Sequence, residues 1–458
     1  MKNRGTIAAI ASGMTDAGIG IIRVSGDSAI EIVNQIFKPA KKKDLFSLES
    51  YQAAYGHIVE NDETIDEVIV LVMKAPATYT REDTVEINCH GGIVVMKRVL
   101  SAVLRAGASI AEPGEFTKRA FLNGRMDLTQ AESVMDIIHA KNEFSAKASM
   151  MQLRGDLSDR IKDIREKILY HIAFIESALD DPEHYSLDGY PEQLRDVITD
   201  IDNQLQHLLD TSDNGRILKE GIKTVIVGKP NAGKSSIMNV LLGEDRAIVT
   251  DIAGTTRDTL EESVSIEGIP LNIVDTAGIR DTEDVVEKIG VDKAKSSLSQ
   301  ADLILYVVDA SVPLDENDNE IIEKIKDKNV IILLNKQDLN IVVDKLWITS
   351  LLDKKIVEIS TKTKEGINNL YEILKEMFFQ GDIRFNDEIY ITNMRHKEAL
   401  LNSKQALTSV IDSIDNGMPE DFFSIDLMRA YEELGYIIGE AVEDDLVNKI
   451  FKEFCMGK

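Results

Sequence analysis

The sequence predicts a multidomain chain of mixed α+β and α/β class. Three features indicate this: a glycine-rich start that mixes strands with helices, long amphipathic helices on both sides of the middle, and regular strand–helix alternation between them. The 458 residues suffice for about two to four domains at the usual ~100–200 residues each. We expect an N-terminal α+β domain over 1–119, a discontinuous helical bundle over 120–220 and 381–458, and an inserted α/β domain over 221–380.

The N-terminal domain is predicted from short apolar runs that are separated by glycine-rich turns. The first run has about four apolar residues, fewer than the ~7–15 of a signal-peptide core, so we interpret it as a strand. The expected strands are Thr6–Ile10, Ile19–Val24, Glu67–Met73 and Thr84–Cys89, and a helix is expected over Ile93–Arg105.

The helical domain is predicted from apolar side chains that recur every three or four residues and so share one helix face. These stripes lie on both sides of the middle segment. A pair of helices cannot bury them alone, so both flanks are expected to form one bundle. The stripes are Ile161, Ile164, Ile168, Ile172, Ile175 and Leu179; Leu194, Val197, Ile201, Leu205 and Leu208; Leu400, Leu407, Ile411 and Ile414; Leu427, Tyr431, Leu434 and Ile438; and Leu446, Ile450 and Phe454.

The inserted domain is predicted from short apolar strands that alternate with helical stretches. This alternation is typical of a parallel sheet with helices on both faces. The strands are Lys223–Val227, Leu271–Val274, Leu303–Val308 and Val330–Leu334.

Composition limits the functions that the chain can have. The formal net charge of -27 argues against a broad surface that neutralises nucleic-acid phosphates, so any such contact needs a local basic patch or a partner. The two cysteines, Cys89 and Cys455, lack the spacing of zinc ligands and suit a reducing compartment. No stretch approaches the roughly 18 apolar residues of a membrane span. We therefore expect a cytoplasmic protein.

A phosphate-binding loop is predicted at Gly228–Ser235, which fits the pattern G-x-x-x-x-G-K-[ST]. It follows a predicted strand and precedes a helix, as this motif requires. The glycines let backbone N–H groups approach phosphate oxygens, Lys234 supplies positive charge to the β- and γ-phosphates, and Ser235 offers a hydroxyl to Mg²⁺. The pattern alone also matches by chance.

Later motifs strengthen this prediction. Asp275–Gly278 ends a strand, where the carboxylate can reach Mg²⁺ through water, and Asn335–Asp338 ends another. The Asp338 carboxylate can accept hydrogen bonds from guanine N1–H and the 2-amino group, a donor pair that adenine lacks. Ser360–Lys362 stands where a backbone contact to the guanine carbonyl would fall. This order and spacing indicate a Ras-like GTPase domain.

One position departs from the Ras-like pattern. Ile279 stands where a glutamine would orient the attacking water, so hydrolysis needs another arrangement. On the sequence alone, the acids that follow are candidates for this task or simply solvated surface groups; they are Asp281, Glu283, Asp284 and Glu287.

A switch segment is expected between the first two motifs, at Thr250–Asp258, where a threonine closes over Mg²⁺. Ser235 and Thr256 are the predicted Mg²⁺ ligands. The predicted GTP contacts are Asn231, Ala232, Gly233, Lys234, Ser235, Ser236, Thr250, Asp251, Ile252, Ala253, Gly254, Thr255, Thr256, Asp275, Thr276, Ala277, Gly278, Asn335, Lys336, Asp338 and Ser360.

Five separated segments resemble the tRNA modification GTPase family MnmE, also called TrmE, nearly from end to end. They occur in the family's order, which makes the resemblance specific. The segments are Gly18–Gly26, Glu86–Gly92, Pro113–Arg125, Gly254–Asp258 and Cys455–Lys458.

The resemblance implies an N-terminal domain that dimerises and binds 5-formyltetrahydrofolate or a related reduced folate. It implies folate contacts at Arg23, Glu82, Arg125 and Lys458. Without the family, Arg23 and Arg125 would be interpreted as surface ion pairs. Arg81 stands before Glu82 where a small residue is common, and Asp180-Asp181-Pro182 departs from an acid-aromatic-proline stretch, which leaves fine substrate geometry open.

For the GTPase domain, the resemblance implies a K⁺ ion bound by Asn231, Thr250, Ile252 and Thr255, and Glu287 as the acid that orients water. It also implies a homodimer and a heterotetramer with the flavoprotein MnmG. Together they would modify C5 of wobble uridines in tRNA by a carboxymethylaminomethyl-type addition.

Two points stay open at this level. Cys455 is either a catalytic nucleophile or a packed thiol, while Cys89 and His90 lack companions for a metal site and are interpreted as structural. The nucleotide motifs alone also fit a regulatory GTPase switch of the ribosome-assembly type, with no role in base chemistry. The N-terminal domain and the Cys-Met-Gly-Lys terminus distinguish the two functions, because a plain switch needs neither.

Overall fold

The structure is a computed structural model, and it forms two compact units. The first comprises Met1–Ile138, Met151–Arg195 and Asn402–Lys458, and the second His139–Met150 and Asp196–Leu401. The residues that the structure describes are 5–41, 44–140, 142–243, 261–266, 269–274, 298, 300–379, 389–440, 447, 450–452, 454 and 457.

The first unit begins with a seven-stranded sheet of order β3-β4-β5-β6-β2-β1-β7. Alternate residues of β5 face the core: Val68, Val70 and Val72 are buried, whereas Ile69 is 51% exposed. Two helices, α1 and α2, cover the buried face. The strands are β1 Ile7–Ile10, β2 Ala17–Ser25, β3 Phe37–Pro39, β4 Gln52–Glu60, β5 Glu63–Met73, β6 Thr84–Gly91 and β7 Ser109–Ile110; the helices are α1 Ala29–Ile36 and α2 Ile93–Arg105, with a 3-10 turn at Leu45–Ser47.

Helices from both ends of the chain complete the first unit, as the stripes predict. Arg165 donates through Nε to the carbonyl oxygen of Tyr431 in the helix Asp421–Ile438 (3.2 Å), and its guanidinium lies 4.0 Å from the Tyr431 ring centroid. The next helices along the chain are α3 Glu115–Leu122, α4 Leu128–His139, α5 Glu143–Arg154, α6 Asp156–Asp180, α7 Tyr190–Asp210 and α8 Ser212–Glu220. Of these, α8 and the larger parts of α5 and α7 belong to the second unit.

Several residues of the predicted stripes differ from the expected burial. Val410 is buried, whereas Ile411, Ile414, Tyr431 and Ile450 are half-buried, and Leu446 lies outside the described residues. Leu179 lies in the last turn of α6 and is 44% exposed, because the helix ends at Asp180 and its final turn has less to pack against. In α7, Ile198 is buried and Val197 is only half-buried. Spacings of three and four residues fit either position, so the helical repeat alone does not choose between them.

The second unit contains a six-stranded sheet of order β13-β12-β11-β8-β10-β9. All neighbouring pairs are parallel except β9 with β10, and β11 is buried on both faces from Leu303 to Val308. The strands are β8 Ile222–Val227, β9 Glu261–Ile266, β10 Ile269–Val274, β11 Leu303–Asp309, β12 Val330–Asn335 and β13 Lys355–Glu358; the helices from here on are α9 Lys234–Leu242, α10 Glu316–Ile325, α11 Lys345–Leu351, α12 Ile367–Phe379, α13 Met394–Asp415 and α14 Asp421–Ile438.

This topology positions the predicted motifs. In a parallel sheet the strands share one direction, so their carboxyl ends meet at one edge, where α/β sheets bind ligands. The phosphate loop follows β8, and the segment Asn335–Asp338 follows β12. The mixed α+β and α/β class is therefore confirmed.

Candidate functional site

The phosphate loop connects the end of β8 to the start of α9, so it lies beside the N-terminal amides of a helix, which favour anions. Gly233 caps the helix with φ +106°, and a Cβ atom there would come within 2.1 Å of Asn335 Nδ2. Gly233 therefore leaves the space that the Asn335 amide occupies and adopts a positive φ that other residues rarely take. Ser235 and Ser236 in the first turn of α9 are exposed.

Lys234 places its ammonium group across this loop. Its Nζ donates to the carbonyl oxygens of Gly228 and Lys229, each at 2.7 Å. The Lys234 ammonium thus lies within the curve of the phosphate loop. Together with the backbone N–H groups of the loop, it fits the β- and γ-phosphates of a nucleotide. For Mg²⁺ the fit rests here on the Ser235 hydroxyl, a hard oxygen ligand of the kind that Mg²⁺ prefers.

Lys229 fixes the loop to the helix that follows β11. Its Nζ lies 2.9 Å from Asp315 Oδ2 and 2.6 Å from Asp318 Oδ2. Burial alone would lower the pKa of Lys229, but hydrogen bonds from its ammonium to Asp318 and Asp315 outweigh that effect and raise it. Asp318 is buried and also accepts a hydrogen bond from Tyr306 Oη at 2.8 Å. The sequence motif does not reveal this anchor.

The predicted base-reading corner comprises Asn335, Asp338, Ser360 and Thr361. Asn335 is fully buried at its centre. Its Nδ2 donates to the carbonyl oxygen of Ala232 at 2.9 Å, and its Oδ1 accepts from the Thr361 backbone N–H at 3.2 Å. One side chain therefore joins the phosphate loop to the segment after β13. Ser360 Oγ donates to Asp338 Oδ1 at 2.8 Å and orients that carboxylate.

Ser360 and Thr361 use their backbone N–H groups internally. That of Ser360 donates to the carbonyl oxygen of Glu365 at 3.1 Å, and that of Thr361 to Asn335. Ser360 therefore contributes to the site through its hydroxyl, which donates to the Asp338 carboxylate, and not through its backbone N–H.

Lys336 is held in the left-handed region with φ +67°, and its Nζ lies 2.5 Å from Asp309 Oδ2 at the end of β11. Burial alone would raise the pKa of Asp309, but hydrogen bonds from Lys336 and Ser311 outweigh that effect and lower it. The pair ties two neighbouring strand ends together below the base-reading corner.

The remaining predicted nucleotide residues lie outside the described part of the chain. They are Thr250, Asp251, Ile252, Ala253, Gly254, Thr255, Thr256, Asp275, Thr276, Ala277, Gly278 and Glu287. The predicted contacts that the structure does bring together are Asn231, Ala232, Gly233, Lys234, Ser235, Ser236, Asn335, Lys336, Asp338 and Ser360.

A second polar site lies on the sheet of the first unit. Arg23 on β2 faces its register partner Glu86 on β6, and its Nε lies 2.8 Å from Glu86 Oε1. Its Nη1 donates to the carbonyl oxygen of Gly457 at 3.3 Å. Gly457 has φ +84°, and a Cβ atom there would lie 2.2 Å from the Ile10 carbonyl oxygen. The end of the chain thus approaches this sheet closely.

Tyr79 links the two predicted folate arginines. The guanidinium carbon of Arg125 lies 4.6 Å from its ring centroid and that of Arg23 lies 5.9 Å away, both within cation–π range. Arg23 also lies 5.7 Å from the centroid of the Phe116 ring. Burial raises the pKa of Tyr79, against the opposing effect of a hydrogen bond with Thr117. Tyr79 lies in none of the segments that the sequence singled out, whereas Phe116 lies within the segment Pro113–Arg125.

Glu82 lies within a buried ionic network. Arg119, almost fully buried, donates through Nη1 to both Glu82 oxygens (3.2 and 3.1 Å) and pairs with Glu115 at 2.8 Å. Ser25 Oγ donates to Glu82 Oε2 at 2.9 Å. Glu82 therefore has a fixed carboxylate that can accept further hydrogen bonds. Lys458 and Cys455 lie outside the described residues.

Cys89 and His90 have structural surroundings. Burial raises the pKa of the Cys89 thiol to about 11, and its Sγ donates to the Gly20 carbonyl oxygen at 3.4 Å. His90 Nδ1 lies 2.7 Å from Asp66 Oδ1. Within the described ranges no group of three or more His, Cys, Asp or Glu side chains could hold a metal ion.

Two family models match this chain: the GTP-binding protein TrmE N-terminus over residues 6–125, and the MnmE helical domain over 128–455. The tRNA modification GTPase MnmE of Lachnoclostridium phytofermentans is 58% identical over 454 residues, 99% of each chain. The chain belongs to the MnmE family of tRNA modification GTPases. The MnmE protein of Thermoanaerobacter pseudethanolicus is 49% identical over 460 residues, again covering 99% of each chain.

Among solved structures, the G domain of the FeoB iron transporter of T. maritima matches with 26% identity and a TM-score of 0.27, covering 34% of this chain and 97% of that chain. Of the helices within the described ranges, none is both long and apolar enough to cross a membrane.

Proposed function

We propose that this chain hydrolyses GTP and, with the flavoprotein MnmG, modifies C5 of wobble uridines in tRNA by a carboxymethylaminomethyl-type addition that draws on a reduced folate. The observation that carries the proposal is that one chain combines two sites of different chemistry. One unit has the phosphate loop joined by Asn335 to the base-reading corner. The other has Arg23, Glu82 and Arg125 around Tyr79. Full-length relatives named as tRNA modification GTPases support the combination.

In the nucleotide site, the described residues bind and orient GTP. The amides at the start of α9 and the Lys234 ammonium neutralise the β- and γ-phosphates, while Asp338 accepts the two guanine donors. Mg²⁺, held by Ser235 and Thr256, would supply charge stabilisation for the phosphoryl oxygens. Ile279 stands in place of the usual glutamine and cannot orient the attacking water, and the resemblance to the MnmE family assigns that task to Glu287.

In the folate site, Glu82 accepts the N–H donors of the pterin ring, and the cations bind the polar edge and the glutamate tail. Those cations are Arg23, Arg125 and Lys458. Gly457 lies against Ile10 beside Arg23, which supports a role for the adjoining Lys458.

Arg23→Ala tests this site directly. It should weaken binding of 5-formyltetrahydrofolate by about 1.5–3 kcal/mol, the usual net value of a hydrogen bond to a charged group, and leave GTP affinity unchanged. Titration calorimetry on the full-length chain measures both. Arg98→Ala is the matched control, because it removes an arginine that pairs with Glu63 at 2.8 Å on the same unit. Unaltered folate affinity in Arg23→Ala would remove Arg23 from the site.

The function as a whole is tested by nucleoside analysis of tRNA. Cells that lack this chain should lose the modified wobble uridine, and the wild-type chain should restore it. Lys234→Ala should fail to restore it although the protein is present at normal levels. If tRNA from deleted cells and from wild-type cells had the same nucleoside profile, a regulatory GTPase switch would be favoured instead.

The assembly and location are part of the same proposal. We assign a cytoplasmic homodimer that associates with MnmG as a heterotetramer, with the N-terminal domain over 1–119 as the dimerising part. The helical domain over 120–220 and 381–458 and the GTPase domain over 221–380 complete the proposed division.

A further inference from the structure

Arg81 has a backbone conformation that arginine seldom adopts. Its φ is +60°, in the left-handed region, where glycine and asparagine are accommodated at lower cost. Such strain is retained mainly where the surrounding structure or the function requires the side chain. Arg81 stands directly before Glu82, one of the predicted folate contacts.

The Arg81 side chain is anchored beside the folate site. Its Nη1 donates to the carbonyl oxygen of Asn123 at 3.0 Å, and Asn123 Nδ2 donates back to the carbonyl oxygen of Thr80 at 2.6 Å. These reciprocal bonds join the segment 80–82 to the segment 123–125. Arg125, two residues beyond the accepting carbonyl, stacks on Tyr79 at the same site.

Arg81 and Arg125 carry charge that the described part of the chain does not neutralise. Arg23 pairs with Glu86, and Arg119 pairs with Glu82 and Glu115. By contrast, Arg81 and Arg125 are exposed, and none of the described carboxylates forms an ion pair with either. In a chain of net charge -27, two adjacent cations without a carboxylate form a local exception that suits an anionic ligand.

We propose that Arg81, together with Arg125, makes this site selective for reduced folates that carry more than one glutamate. The inference rests on the proposed folate site and goes further by naming the ligand form and the residue that selects it. A pterin ring bound at Glu82 would allow the glutamate tail to run along the joined segments 80–82 and 123–125, where each added glutamate would present one more carboxylate to Arg81 and Arg125. A guanidinium can bind a carboxylate with two parallel hydrogen bonds, whereas a single short tail offers fewer such partners.

Titration calorimetry on the full-length chain compares 5-formyltetrahydrofolate with one glutamate and with three. We expect the wild type to bind the triglutamate about three- to tenfold more tightly, as exposed ion pairs allow, and the ratio to shrink as salt rises. Arg81→Asn keeps a residue that tolerates positive φ, so it should fold and hydrolyse GTP normally while the ratio falls toward one. Arg81→Lys should retain part of the ratio, because it keeps the charge but loses the paired donors.

Arg98→Asn is the matched control, since it removes an exposed arginine that pairs with Glu63 instead. Its ratio should equal that of the wild type. Equal affinities of the wild type for the two ligands, or an unchanged ratio in Arg81→Asn, would overturn the inference and leave the folate site intact. Failure of the wild type to bind either ligand would overturn the folate proposal itself.

Discussion

Asp338 shows how one carboxylate can select a nucleobase. Ser360 Oγ donates to it at 2.8 Å, and Lys362 Nζ lies 3.8 Å from its other oxygen. Because an ionised carboxylate only accepts hydrogen bonds, it complements the N1–H and 2-amino donors of guanine. The buried Ser360 hydroxyl keeps the carboxylate in one orientation, so the selectivity depends on both residues.

Replacing Asp338 with asparagine should change the nucleotide preference from GTP to xanthosine triphosphate. The Asp338→Asn amide can donate where the carboxylate accepted, so GTP binding should weaken by about 1.5–3 kcal/mol and xanthosine triphosphate should become the preferred ligand. Competition binding with both nucleotides on the full-length chain measures the preference. A variant that still preferred GTP would rule out the guanine-reading role of this residue.

At the residue scale, sequence patterns reveal motif residues but not the partners that hold them. Asn335 and Lys234 stand in recognisable spacings, and the structure brings both to the phosphate loop. Arg119 and Tyr79 could not be assigned to the folate site in this way. Arg119 reaches Glu82 across 37 residues of sequence, a contact that arises only when the sheet and α3 fold together.

The phosphate loop is anchored to the N-terminus of α10. Asp315 caps α10 by accepting from the backbone N–H groups of Asn317 and Asp318, while the Asp318 side chain accepts from the Asp315 N–H, a reciprocal capping box. Lys229 in the loop binds both carboxylates. The position of the loop therefore depends on the start of a helix that begins 87 residues after Lys229.

Asp318→Ala should loosen this element. The substitution leaves the Tyr306 hydroxyl and the Lys229 ammonium without a buried acceptor, which costs about 3 kcal/mol. Hydrogen exchange of the α10 amides should accelerate by about two orders of magnitude, and GTP affinity should fall because the loop loses its anchor.

Asp315→Ala provides the matched comparison, because it removes a carboxylate from the same capping box at an exposed position. It should accelerate α10 exchange less and leave GTP affinity nearly unchanged, since Asp318 still holds Lys229. Equal effects of the two substitutions on nucleotide affinity would show that the Lys229–Asp318 pair does not position the loop.

At the element scale, strong periodicity predicts well and weak periodicity does not. Ile93–Arg105 is a helix with the predicted bounds, and the strand expected at Leu303–Val308 extends by one residue to Asp309. The strand at Gln52–Glu60 and the helix at Ala29–Ile36 were not predicted. The first half of the strand is mostly exposed, and the strand gains its order by pairing with β5, a contact that a local pattern cannot show.

For the whole molecule, the net charge of -27 bears on how tRNA is held. A surface of this sign repels the phosphate backbone at long range, and the effect is strongest at low salt. In the proposed complex the flavoprotein would therefore supply most contacts to tRNA, while this chain supplies GTP hydrolysis and the folate. Exposed cations such as Arg81 and Arg125 are outnumbered along the chain, which has 52 Lys and Arg against 79 Asp and Glu.

Cation dependence of hydrolysis tests how the GTPase domain stabilises the charge of the transition state. Asn231 lies in the phosphate loop with φ +63° and an exposed side chain, whose oxygen can ligate a monovalent cation. With groups of Thr250, Ile252 and Thr255, it would hold K⁺ against the phosphoryl oxygens, where charge develops in the transition state. Steady-state hydrolysis should then be about tenfold or more faster in KCl than in NaCl at equal ionic strength.

Asn231→Ala should abolish that difference while GTP still binds through Lys234 and Ser235. Asn340→Ala, an exposed asparagine of the same unit, should keep it. Equal wild-type rates in the two salts would exclude the cation mechanism.

Glu287 is the last group in this scheme, and it lies outside the described residues. If it orients water only as the γ-phosphate is attacked, its contribution belongs to the transition state and not to GTP binding. Glu287→Ala should therefore lower turnover in KCl by about two orders of magnitude and change nucleotide affinity little. Glu283→Ala, which removes a neighbouring acid, is the control and should retain normal turnover. Normal turnover in Glu287→Ala would show that Glu287 is only a solvated surface acid. Another group would then orient the water, because the Ile279 side chain cannot hydrogen-bond to it.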